Sequence, residues 1–134
     1  MKWSYARALV GGLGALGVSA AAFYAHGLQK VASPEQIRWW AIACALQLVT
    51  TPVILALVLA VEAKTRATDT ESSATRRPIE ALPWSARLLS VGVLFFSGSL
   101  YLMALGAPRW LGAVTPLGGL LMIMAWGWFV FEGQ

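Results

Sequence analysis

The 134-residue chain is short of nearly everything that soluble chemistry uses. It has one cysteine, Cys44, and one histidine, His26. An internal disulfide and any multi-cysteine or multi-histidine metal site are therefore excluded. Charged residues make up 12% of the chain, against roughly 25% in an ordinary soluble domain. Four long stretches carry no Asp, Glu, Lys or Arg: 8–29, 39–61, 88–108 and 110–131. Without carboxylates or lysines in these stretches, ion-coupled transport loses its usual machinery. With no acid beside His26 except Glu35, nucleophilic catalysis lacks its base and orienting group. No catalytic, cofactor-binding or metal-binding residue is assigned, and no cofactor is expected. The formal charge of +4 is scattered, so nucleic acid is not an expected partner.

What is present is apolar surface: 58% of the residues are hydrophobic. The four uncharged stretches are 22, 23, 21 and 22 residues long. A helix rises ~1.5 Å per residue, so ~20 residues cross a ~30 Å hydrocarbon layer. In lipid every backbone polar group must pair within the segment, which selects helix. Runs such as Val53-Ile54-Leu55-Ala56-Leu57 do not alternate, as membrane strands must. The expected fold is an all-α, four-transmembrane-helix bundle in a single domain, 1–134, with helices at about 8–28, 35–61, 86–107 and 111–131 and a mobile inner loop at 62–84. Lys2 and Arg7 followed by an apolar run and Ser19-Ala20-Ala21-Ala22 imitate a secretory signal peptide. The run continues through Phe23 and Tyr24, so this segment is expected to be retained as a helix.

Seven basic residues fall on the side of the N-terminus and the long loop: Lys2, Arg7, Lys64, Arg66, Arg76, Arg77 and Arg87. Three fall opposite: Lys30, Arg38 and Arg109. The bias places both termini on the cytoplasmic side of an inner membrane. Trp and Tyr cluster near the ends of the stretches, where an amphipathic ring meets the headgroups.

Local signals mark the helix ends. Ser33-Pro34-Glu35-Gln36 reads as a capping box with proline at the first helical position. Gly106-Ala107-Pro108 ends helix 3. Thr115-Pro116 repeats the cap pattern. It either starts helix 4, with 110–114 a separate turn, or kinks a longer helix.

Between Ala8 and Ala22, ten of fifteen residues are Gly, Ala or Ser. Helices associate in lipid by close packing, which small residues permit. Gly11, Gly14 and Gly17 on helix 1, Gly98 on helix 3, and Gly118 and Gly119 on helix 4 are the expected packing positions. Helix 1 is expected to be enclosed or to form an oligomer face. A polar cluster of His26, Ser97, Ser99, Tyr101 and Thr115, all toward one end of the bundle, is the candidate ligand or structural site. Cys44, in mid-helix 2, reads as a small core residue.

Phe96-Ser97-Gly98-Ser99-Leu100-Tyr101-Leu102, followed by the segment 110–119, resembles the signature of the domain of unknown function 423 family. These are small four-helix membrane proteins, similar to transmembrane protein 256. Ala25-His26-Gly27-Leu28 resembles the family's other motif. The family often carries a tyrosine, a glutamine and a histidine in helix 2, and of these only Gln47 is kept here. The resemblance implies a bacterial inner-membrane or organellar-membrane protein and supplies no activity. Two functional expectations follow from the residues. The first is a non-enzymatic accessory or packing subunit, in contact with membrane lipids and with partner subunits or other copies of itself. The second is a small lipid or apolar-ligand binder, or minor transporter, with a crevice near the outer ends of helices 1, 3 and 4.

Overall fold

The structure, a computed structural model, describes residues 2–68 and 82–132. Four helices make it up: α1 (Lys2–His26), α2 (Pro34–Thr68), α3 (Trp84–Ala104) and α4 (Val114–Glu132). Short 3-10 turns, Leu28–Lys30 and Arg109–Ala113, lead into α2 and α4. All four helices are long and apolar enough to cross a membrane. They pack in chain order: α1 on α2, α2 on α3, and α3 on α4. The helices alternate in direction. One end of the bundle, the terminal end, holds the start of α1 and the finish of α4. The other is the turn end.

Two helices exceed their uncharged stretches. α1 begins at Lys2, and α2 continues through Thr68, so the first seven residues of the expected loop are helical. Glu62 explains the extension. It is buried, and Arg66 one turn on holds its carboxylate, with Arg7 of α1 at 3.7 Å. An (i, i+4) pair with the acid first supports a helix. Of the rest of that expected loop, 69–81 lies outside the described residues, and Trp84 already begins α3.

The turn end follows its local signals closely. Ser33 N–H donates to Gln36 Oε1 at 2.9 Å, and Gln36 N–H donates to Ser33 Oγ at 3.3 Å. This is the reciprocal capping box. At the end of α3, Gly106 has φ +94°. Ala107 N–H reaches Leu102 O and Gly106 N–H reaches Met103 O, which is the Schellman pattern. Pro108 then prevents continuation. Thr115 does not cap α4. The 3-10 turn runs straight into the helix, and Val114 already has helical dihedrals (φ −78°, ψ −33°). Pro116 sits in the first turn, where its missing N–H has no partner to lose. The freed Thr115 hydroxyl pairs with Ser99 instead, at 2.7 Å.

The core is divided by depth. Near the terminal end, Val10, Ile54, Val58, Leu89, Val93, Met122 and Ala125 bring all four helices together. Toward the turn end, Ala20, Leu28, Trp40, Cys44 and Ala104 form one cluster, and Ala43, Leu100 and Met103 another. α2 and α3 form the centre, while the flanking helices each bury one narrow stripe. On α1 the buried residues are Val10, Gly17 and Ala20. On α4 they are Gly118, Met122 and Ala125. α1 is therefore not enclosed within this chain.

The closest helix approach is between α3 and α4. A Cβ at Gly118 would strike Phe96 N and lie 2.8 Å from Gly92 O, and one at Gly92 would lie 3.0 Å from Gly118 O. Gly92, not singled out in the sequence, is thus half of this contact. Gly17 is comparably tight, with Leu48 Cδ2 2.8 Å from the Cβ position. Gly14 and Gly119 make ordinary contacts with Thr51 and Phe96. Gly11 and Gly98 have nothing within 4 Å of a Cβ.

Candidate functional site

Three side chains of α2 share one face at helical spacing: Trp40, Cys44 and Gln47. Each reaches a backbone carbonyl of antiparallel α1. Trp40 Nε1–H donates to Ala20 O at 2.8 Å, the Cys44 thiol to Gly17 O at 3.4 Å, and Gln47 Nε2–H to Leu13 O at 2.7 Å. A carbonyl has two lone pairs, so each can keep its intrahelical bond and accept a second. Small residues at 17 and 20 allow the approach. The result is a three-rung ladder whose donors are side chains and whose acceptors are main chain.

Gln47 extends the ladder to a third helix. Its Oε1 accepts from the Tyr101 hydroxyl of α3 at 2.9 Å. One buried amide therefore ties α1, α2 and α3 together. The Tyr101 ring stacks at a tilt on Trp40, centroids 4.6 Å apart, and Trp40 in turn meets Phe23 at 5.3 Å. One turn along α3, Ser97 Oγ–H donates to Ala43 O at 2.9 Å. Below this level Pro52 interrupts the amide series of α2. Thr50 and Thr51 donate to the carbonyls of Leu46 and Gln47 just before it, and the exposed proline ring faces away from the bundle.

α1 and α3 are both held to α2, but toward the turn end they do not close on each other. The gap between them is a crevice of about 430 Å³. Leu13, Leu16 and Phe23 form one wall, Val93, Leu94 and Gly98 the other. Trp40, Gln47, Ser97 and Tyr101 form the floor. The volume lies within the usual range of ligand pockets, roughly 300–1,000 Å³. Its lining is almost wholly apolar. Among the described residues no buried side-chain polar atom lacks a partner, and the indole and hydroxyl donors of the floor are engaged within the protein.

The five residues expected to cluster fall in three places. Ser97 and Tyr101 share the crevice floor. Ser99, on the other face of α3, pairs with Thr115 between α3 and α4. His26 is exposed on the last turn of α1. The crevice is bounded by α1, α2 and α3, without α4. Sequence reasoning gave no site role to Trp40, Cys44 or Gln47. The signal was available as three donor side chains spaced four and three apart on one apolar helix. Among the described residues no group of three His, Cys, Asp or Glu could hold a metal ion.

A second hollow, about 520 Å³, opens at the turn end between α2 and the α3–α4 connection. Glu35 and Arg109 stand at its mouth, with Trp39, Phe96, Leu100 and Met103 behind them. Arg109 Nη2 and Glu35 Oε2 are 3.6 Å apart.

Residues 20–119 match the family described as protein of unknown function (DUF423). A UPF0382 membrane protein of Staphylococcus saprophyticus, SSP2132, is 34% identical over 119 residues, covering 88% of each chain. The UPF0382 inner membrane protein YgdD of Escherichia coli K12 is 32% identical over 109 residues, covering 81% of this chain and 73% of its own. A Staphylococcus haemolyticus relative, SH2409, reaches 60% identity over 43 residues, about a third of each chain. No solved structure matches.

Proposed function

Because the chain belongs to the DUF423 family of membrane proteins, we propose that it is a non-enzymatic, multi-pass inner-membrane protein that holds an apolar chain, such as a lipid tail, in the α1–α3 crevice. One observation carries this reading. The crevice is lined almost wholly by apolar side chains, and the indole and hydroxyl donors of its floor are engaged on the protein's own carbonyls or on Gln47. Such a floor favours a guest without hydrogen-bonding groups. The inner-membrane location follows the name of the E. coli relative. Cytoplasmic termini follow the distribution of basic residues.

The test is photolabelling with a diazirine fatty-acyl phospholipid. Labels are expected on peptides containing Leu16 and Leu94. Gly98→Phe fills the crevice, since open space lies where its side chain would go, and should suppress those labels at least severalfold. Labelling that is uniform along the bundle, or unchanged in Gly98→Phe, would refute the reading.

A second reading rests on a different observation. Most of α1 faces outward, including Leu9, Leu16 and Val18, each over 60% exposed. Gly11 and Gly12 have open space beside them. This supports an accessory subunit that packs α1 against another copy or a partner. Gly12→Leu should then lower the assembly mass measured in mild detergent. A strict monomer in both forms counts against it. Minor transport has less support, because the uncharged stretches carry no Asp, Glu, Lys or Arg for coupling.

A further inference from the structure

The hollow at the turn end differs from the crevice in having charge at its mouth. The Ser33 capping box fixes the first turn of α2 and presents Glu35. The Schellman turn and Pro108 deliver Arg109 as the first residue of the second 3-10 turn. Two unrelated backbone devices therefore set an acid and a base side by side. Both are well exposed, 56% for the Glu35 side chain and 85% for Arg109, and their closest atoms are 3.6 Å apart. A pair that long and that wet contributes little, so a guest can part it without much loss. Glu35 lies one helical turn before Trp39, which opens the uncharged stretch of α2, and Arg109 directly precedes Trp110 and that of α4. That is the level of lipid headgroups. Behind them the hollow is apolar, walled by Trp39, Phe96, Leu100 and Met103. Its remaining hydroxyl, Thr115, is spent on Ser99.

An anion acceptor and a cation acceptor at one mouth, opening on an apolar channel, match a molecule with a phosphate, an ammonium and a hydrocarbon tail. We propose that this hollow binds a zwitterionic phospholipid with a primary ammonium headgroup. The Arg109 guanidinium takes the phosphate, for which its planar fork is suited. The Glu35 carboxylate accepts from the ammonium N–H groups. A quaternary ammonium has no N–H to give, and an anionic glycerol headgroup has no cation for Glu35. The acyl chain runs down past Trp39 toward Phe96 and Leu100. This site shares no residue with the α1–α3 crevice and does not depend on its role.

The test is native mass spectrometry of the full chain in mild detergent. It is titrated with phosphatidylethanolamine, phosphatidylcholine and phosphatidylglycerol of identical acyl chains, and with free phosphorylethanolamine. Phosphatidylethanolamine should bind about tenfold tighter than the other two lipids, the size expected of one charge-assisted hydrogen bond at a partly exposed site. Glu35→Gln should bring it down to the phosphatidylcholine level. Arg109→Gln should weaken all three. Glu35→Lys should turn the preference toward phosphatidylglycerol, a gain that misfolding could not produce. Gly98→Phe should leave the preference intact, which separates this site from the crevice. Equal affinities for the three lipids would overturn the proposal. So would a preference that survives both Glu35→Gln and Arg109→Gln, or free phosphorylethanolamine binding as tightly as the lipid.

Discussion

At the residue scale, one side chain does more than its neighbours. Gln47 is 5% exposed and both ends of its amide are engaged, on Leu13 O and on the Tyr101 hydroxyl. Gln47→Leu preserves bulk but leaves that hydroxyl without its acceptor in an apolar setting. The expected cost is about 1–3 kcal/mol, toward the lower end because unfolded helices in a membrane also find partners. Reversible unfolding in mixed micelles measures it, and Tyr101→Phe in the same background should recover part of the loss. A change below a few tenths of a kcal/mol would remove Gln47 from its bridging role. The glycines separate in the same way. Gly118→Ala has backbone in its path on two sides and should cost about 1–3 kcal/mol. Gly11→Ala meets open space and should gain up to about 1 kcal/mol from helix propensity alone.

At the element scale, stability rests on how each helix is started and stopped. Gly106 has φ +94°, so Gly106→Ala should cost about 1–2 kcal/mol, read as a lowered thermal midpoint. Ser33→Ala removes one half of the capping box and should cost about 0.5–2 kcal/mol. These two ends were legible because their chemistry is local: a serine and a glutamine three apart, a glycine before a proline. Thr115-Pro116 carried an equally good signature and was used differently. Val114 had already entered the helix, and Ser99, sixteen residues away, claimed the hydroxyl. The extension of α2 past Val61 was likewise hidden. Charge ended the uncharged stretch, but the partners of Glu62 are a residue one turn on and a residue on α1.

At the scale of the molecule, four spans and a helical bundle could be read from length and hydropathy, because lipid leaves so few alternatives. The site could not. Gln47 and Tyr101 are 54 positions apart, as are Ala43 and Ser97. Only the antiparallel stacking of α1, α2 and α3 makes them neighbours. Ser97 and Ser99 looked equivalent in sequence and point into different interfaces. The orientation of the whole is a prediction at this scale. In a Cys44→Ala background, single cysteines at exposed Ala63 and Val31 should react with an impermeant thiol reagent from opposite faces of the membrane. Ala63 should react from the cytoplasmic side. Reaction of both from one face would discard the four-span topology.

The fastening of α1 to α2 has an asymmetry that bears on sequence drift. Every acceptor in the three rungs belongs to the main chain of α1, and every donor is a side chain of α2. Main-chain oxygens survive any substitution. For the three rungs, a saturation library should therefore constrain α1 through side-chain size at Gly17 and Ala20, while Trp40 and Gln47 accept few replacements. On this attachment, constraint on chemical identity should sit on α2 and constraint on size on α1.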